Sequence, residues 1–156
     1  MMNTKKKLEI GYKIFKIYTS KFSFIEEIAD EDIDRLILNN KIEVRINTKI
    51  SLSSNKEVVV DIIATFKNNE TDSIFIEHTG RTCFGLQGIS ENEEVKENKA
   101  HDLPQELVTQ LFSLSYSHSR ALLVNELNPT PFKFKLFLPI IAPDKLSTIL
   151  KNLTKI

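Results

Sequence analysis

A single cysteine, Cys83, stands among the 156 residues, so the chain holds neither an intramolecular disulfide nor a CxxC metal or redox pair. That usage fits a reducing compartment, and a cytoplasmic protein is expected. Charge of one sign is missing as well: 21 basic and 21 acidic residues cancel, with a pI near 6.8. The electrostatic footprint of a nucleic-acid-binding protein is absent, and nucleic acid is not an expected partner. No apolar run approaches the roughly 18 uninterrupted residues of a membrane span. After Lys5, Lys6 and Lys7 the apolar stretch of a secretory signal is broken by Glu9, Lys13 and Lys16. Histidine is scarce, and His78, His101 and His118 lack the paired spacing of a zinc site.

What the chain does have is apolar residues, 41% of the total, which rules out global disorder. A chain of this length is expected to form one domain, 1–156, that buries roughly 70% of its unfolded surface without staples. The stretch "KIFKIYTSKFSFIEE", residues 13 to 27, gathers Ile14, Phe15, Ile17, Tyr18, Phe22, Phe24 and Ile25 into what reads as a strand apolar on both faces. Residues 41 to 52 alternate cleanly, with Ile42, Val44, Ile46, Ile50 and Leu52 on the buried side. Residues 57 to 67 place Val58, Val60, Ile62, Ala64 and Phe66 on one face and mix Val59 and Ile63 into the other, so this strand is expected to be covered on both sides. A fourth strand runs from about 73 to 88. The polar connectors "SSNK" and "KNNETD" join strands two to four into an antiparallel meander.

Between the first two strands, Asp30, Asp32 and Asp34 imitate the opening of a calcium loop, but Arg35 occupies the glycine position and Lys41 the position of the bidentate glutamate. A solvated, acidic helix start is expected instead. Residues 89 to 102 are charged and aperiodic, a surface connection. A long helix follows, with Asp102 as N-cap, Gln105 as its reciprocal partner, Pro104 in the first turn and a stop before Pro129. Leu107, Leu111, Leu114, His118, Ala121, Leu122 and Asn125 lie along one stripe, while Val108, Phe112, Tyr116, Leu123 and Leu127 widen the apolar surface. Ser113, Ser115, Ser117 and Ser119 either admit a neighbouring helix from a partner subunit or face water, and both readings stay open. Past the helix, "PTPFKFKLFLPIIAP" is a proline-bounded apolar segment, and Leu146, Ile149, Leu150 and Leu153 mark a short amphipathic helix over 144–153.

Catalysis finds no footing in this pattern. Neighbours on a strand point to opposite faces, so Glu77 and His78 form no dyad. His118 reads as a polar residue at a helix interface, and Cys83 has no activating partner. No nucleophile, base and orienting group converge, so neither an enzyme nor a metal or cofactor is expected.

The strand "FKIYTSKFSFIEE" resembles the opening strand of the SecB export chaperones through Ile17, Tyr18, Thr19, Ser23 and Phe24. Phe84, Gly88 and Ile89 stand at the family's Phe and Gly-Ile positions, and Leu138, Pro139, Ala142 and Pro143 are similar to its proline and Ala-Pro pair. The resemblance covers most of the chain in the right order and implies an α+β fold, a four-stranded antiparallel sheet (sheet half about 12–88) packed with one long helix (helix half about 103–153). It further implies a homotetramer built as a dimer of dimers, which binds unfolded preproteins through hydrophobic grooves and delivers them to SecA. On that basis client contacts are expected at Phe15, Phe22, Phe24, Phe75, Phe84 and Leu86, and an oligomer interface at Leu111, Leu114, Ser115, His118 and Leu122. SecA contacts fall to Glu77, with Glu26 and Glu27 nearby, because Lys21 and Ile25 stand where two other carboxylates belong. Two alternatives remain: a SecB-like chaperone dedicated to an antitoxin or another specific client without SecA, and an oligomeric scaffold that binds no client.

Overall fold

The computed structural model describes residues 10–53, 56–87, 103–142 and 145. The elements follow in the order β1 (Gly11–Phe24), α1 (Asp30–Leu38), β2 (Ile42–Leu52), β3 (Glu57–Asn68), β4 (Ile74–Gln87) and α2 (Gln105–Leu127). The strands form one antiparallel sheet in the order β1-β4-β3-β2. The α+β plan and the meander of β2, β3 and β4 agree with the sequence reading, and β1 adds itself beside β4. The expected 144–153 helix, Asp102, Gly88, Ile89, His101 and Pro143 lie outside the described residues.

The paradox of a first strand apolar on both faces dissolves in its pairing. Register shifts between Ile14 and Lys16 and between Thr19 and Lys21 make Phe15 and Ser20 extra residues in β1. A bulge adds a residue on one strand without advancing the partner, and so inverts the alternation beyond it. Tyr12, Ile14, Ile17, Thr19, Phe22 and Phe24 therefore all pair with even-numbered residues of β4, from Leu86 back to Ile76. Directly paired side chains share a sheet face. That face continues through Val58, Val60, Ile62, Ala64 and Phe66 of β3, all fully buried, to the half-buried Val44, Ile46 and Ile50 of β2. The opposite face of β3 is covered only in part, with Val59, Ile63 and Thr65 half-buried.

Because β1 and β2 run in opposite directions at opposite edges, their connection has only to cross one end of the sheet, and α1 does so. Its first turn holds Asp30, Glu31 and Asp32, as anions favour at a helix N-terminus, and Ile33 and Leu36 turn into the core. At the other end Asn40 takes a left-handed φ of 54°, Lys41 N–H donates to the Leu36 carbonyl at 2.9 Å and Asn40 N–H to that of Ile37 at 3.1 Å. This Schellman arrangement satisfies the last carbonyls and stops the helix.

α2 lies on the apolar face, against β4, β3 and β1. Pro104 occupies the N-cap position with extended backbone and no side-chain cap, one residue outside the first turn expected for it. The stripe that α2 buries also differs from the expected one. Leu107, Val108, Leu111, Phe112, Ser115, Tyr116, Ser119, Leu123 and Leu127 turn inward, while Leu114, His118 and Leu122 lie half-buried along the flank and Ala121 and Asn125 are exposed. After α2 the chain folds back toward α1. Phe132, Leu136 and Leu138 are buried, Phe132 lies 6.2 Å from the Phe75 ring, and Lys135 pairs with Asp34 at 2.9 Å and Asp30 at 3.8 Å.

Candidate polypeptide-binding surface

The seam between α2 and the sheet explains the shifted stripe. A Cβ on Gly80 would collide with Ser119 Oγ and come within 2.9 Å of Ser119 Cβ, so the helix approaches β4 at a glycine facing a serine. Ser115 is buried in the same seam and returns its hydroxyl to the Leu111 carbonyl at 2.7 Å. Ser113 and Ser117 face outward. The serine string thus divides between the subunit's own sheet and its surface. Leu111 and Ser115, expected at an oligomer interface, are fully buried inside the subunit and offer nothing to a neighbour. Leu114, His118 and Leu122 keep partial exposure on the helix flank.

Two histidines close the seam. His118 Nδ1 and Thr82 Oγ1 lie 3.0 Å apart, and burial lowers the imidazole's pKa. His78 is fully buried, shares a hydrogen bond with Thr19 Oγ1 through Nε2 at 3.0 Å, and is pushed down to about 4 by desolvation. Its Nδ1 and the Ser119 hydroxyl have no hydrogen-bond partner among the described residues. No group of three or more His, Cys, Asp or Glu side chains suited to a metal ion occurs among the described residues.

The six expected client contacts separate into two sets. Phe75, Phe84 and Leu86 belong to the core, with Phe84 fully buried edge-on to Tyr12 at 5.8 Å, so they are corrected from client contacts to packing residues. The reason is register: β4 is an interior strand whose even face is covered by α2, while the irregular step beside Phe75 turns that ring toward Phe132. Phe15, Phe22 and Phe24 stay accessible on the edge strand, Phe15 most of all at 56% exposure, while Phe22 and Phe24 stack on each other at 5.5 Å.

A second apolar surface went unread in the sequence. Leu38 at the end of α1 is 85% exposed, and Phe134, Phe137 and Ile140 in the segment after α2 are 72%, 52% and 81% exposed. The sequence marks this only as a proline-bounded apolar segment, in which Phe132, Phe134, Leu136 and Leu138 alternate with Lys133, Lys135 and Phe137. Instead of extending, residues 131–135 turn, and Phe134 adopts a left-handed φ of 60°. That twist separates it from its buried neighbours; the lysines on either side were the available signal.

The acidic candidates are also sorted by the fold. Glu77 is held by Lys21 at 2.9 Å, on the sheet face opposite α2. Glu26 and Glu27 lie beyond the end of β1 and are exposed. On the same outer face Arg81 grips both oxygens of the buried Asp61 at 2.7 and 2.8 Å and donates to Tyr18 at 3.3 Å.

Among solved structures, the chain is similar to the Mycobacterium tuberculosis SecB-like chaperone Rv1957 in complex with a ChAD peptide from the Rv1956 HigA1 antitoxin, at 14% identity over 84% of this chain and 90% of that one, TM-score 0.56. The fold is SecB-like. A Streptococcus agalactiae protein of unknown function is also similar, at 11% identity over 85% of this chain and 99% of that one, TM-score 0.45. Comparison with protein families and with curated proteins yields no match. Within the SecB-like fold the sheet, the long helix and their order agree with what the opening strand and the strand-then-helix plan imply. No helix among the described residues is long and apolar enough to cross a membrane.

Proposed function

We propose that this protein is a cytoplasmic chaperone that holds unfolded polypeptides on exposed apolar surface. The observation that carries the reading is the set of large apolar side chains left outside a finished core: Phe15 and Ile17 on the bulged edge strand, and Leu38, Phe134, Phe137 and Ile140 at the far end of the fold. Apolar surface of this kind suits client capture, and burial as the driving force tolerates many client sequences. The edge strand adds unpaired backbone groups that an extended client could pair with. Leu114, His118 and Leu122 on the flank of α2 serve subunit association in this reading, in a homotetramer. No catalytic group is required.

The dedicated-client version is favoured over export coupling by one contact. The Lys21–Glu77 ion pair neutralises the carboxylate that the SecB resemblance assigns to SecA, leaving Glu26 and Glu27 as the open acidic positions nearby. A client such as an antitoxin segment, the chemistry seen on the similar chaperone, fits this arrangement. The decisive experiment is size-exclusion chromatography with light scattering, run on the protein alone and after dilution of a urea-denatured precursor into it. A soluble complex that co-elutes with the oligomer is expected, and a client left to aggregate would overturn the chaperone reading. Titration with the organism's SecA at low salt separates the two versions, since binding there would restore the export reading.

A further inference from the structure

The sheet face turned away from α2 is cationic, and three of its four carboxylates are held in ion pairs. Pairing places seven lysine and arginine side chains on this face against four carboxylates. Glu77 is taken by Lys21 at 2.9 Å, and Asp61 is gripped at both oxygens by Arg81. Glu43 accepts from Arg45 at 2.9 Å and lies 3.3 Å from Lys67. The fourth, Glu57, is half-buried and separated from Lys13 by the bare position of Gly85, so the two lie two strand spacings apart, about 10 Å.

Three exposed lysines are left over. No carboxylate among the described residues pairs with Lys13, Lys16 or Lys49. Lys16 rests its ammonium 4.5 Å over the Tyr18 ring, an arrangement that keeps the charge on the surface. Lys49 sits opposite Asp61, whose two oxygens Arg81 already occupies.

We propose that this face docks an acidic polypeptide segment, which would lie across the strands from Lys13 and Lys16 on β1 to Lys49 on β2. The two edges are three strand spacings apart, about 14 Å, and Lys49 lies two residues along from the row of Lys16, so the diagonal is about 16 Å, which an extended chain spans in about five residues. The occupant is therefore a segment with carboxylates at intervals of about that length. A nucleic acid fits less well, because its unbroken row of phosphates would run over Glu57 and Asp61, which lie on β3 between the lysines. This docking rests on charge, whereas client holding rests on apolar side chains, and Phe15, which the bulge sets between Lys13 and Lys16, is where the two surfaces adjoin.

The test is fluorescence anisotropy with a labelled short polyglutamate peptide, a polylysine peptide and an oligothymidylate, at low and at physiological salt. The polyglutamate is expected to bind, to weaken as salt rises, and to lose about tenfold or more in affinity in a Lys13→Gln, Lys16→Gln, Lys49→Gln triple variant. A matching Lys→Arg triple should keep binding, which guards against a loss caused by misfolding. Unchanged affinity in the glutamine variant, equal binding of polylysine, or tighter binding of the oligothymidylate would each overturn the proposal. Retention of a urea-denatured client by the glutamine variant keeps this result distinct from the fate of the chaperone reading.

Discussion

Acid should weaken this fold through one imidazole, and the size of the effect follows from where His78 sits. The ring is fully buried, takes a hydrogen bond with Thr19 on Nε2, and lies edge-on to Phe22 at 6.2 Å. The neighbouring Glu77 and Arg81 of β4 and Lys21 of β1 point to the opposite sheet face, and across β3 the paired residue is Ala64, so nothing acidic compensates a proton. On the same face α2 sets His118 against Thr82, and burial disfavours that imidazole as a cation too. The unfolded chain takes up the proton near pH 6.5, whereas the folded one resists it down to about 4. Between those values the unfolded state binds more protons, so stability falls as pH falls. The contribution is intact above about pH 6.5 and fully lost below about pH 4. At about 1.4 kcal/mol per pH unit the whole loss is about 3 kcal/mol, of which about 2 has gone by pH 5. His78→Gln keeps a hydrogen-bonding group toward Thr19 but has no proton to gain. Urea denaturation at neutral pH and at pH 5 should show the natural protein losing about 2 kcal/mol more than the variant. Equal losses in the two proteins would refute the reasoning.

Gly80→Ala should cost about 1–3 kcal/mol, because the new methyl must displace Ser119, and adding Ser119→Gly should recover part of it; thermal melts of the single and double variants decide. Phe84→Ala should cost about 3–5 kcal/mol by emptying a fully buried site, whereas Phe15→Ser should change stability by less than about 0.5 kcal/mol and reduce client capture, as seen by denaturation and by light scattering of a diluted client. Arg81→Ala should cost about 2 kcal/mol by leaving Asp61 buried and unpaired, below the 3–5 kcal/mol of a deeply buried pair because the Arg81 side chain is 35% exposed. Urea titration measures it, and Asp61→Asn in the same background should recover stability.

The α+β plan was legible because two periods, 2 and 3.6, divide the chain cleanly, and because β2 and β3 are joined to their neighbours by short polar turns. The accessible part of the candidate surface was legible only where exposure and sequence pattern coincide, at Phe15, Phe22 and Phe24. Phe75, Phe84 and Leu86 were misassigned because a greasy strand in an interior position has the same pattern as one at an edge. Leu38, Phe134 and Ile140 escaped for the converse reason: nothing in an apolar residue's neighbours along the chain tells whether the turn it sits in faces the core.

By itself the sequence determined the elements, their order and which strands alternate, since those follow from local propensity and the spacing of apolar residues. Only the tertiary structure decided the rest. The two bulges of β1 bring Tyr12, Ile14, Ile17, Phe22 and Phe24 of an apparently two-faced strand onto one face, and they exist only in its register against β4. The absence of a side chain at Gly80 draws Ser115 and Ser119 into the seam and leaves Leu114, His118 and Leu122 on the flank. Both are outcomes of contact between segments more than 30 residues apart, where pairing and close packing override the pattern that each segment carries alone.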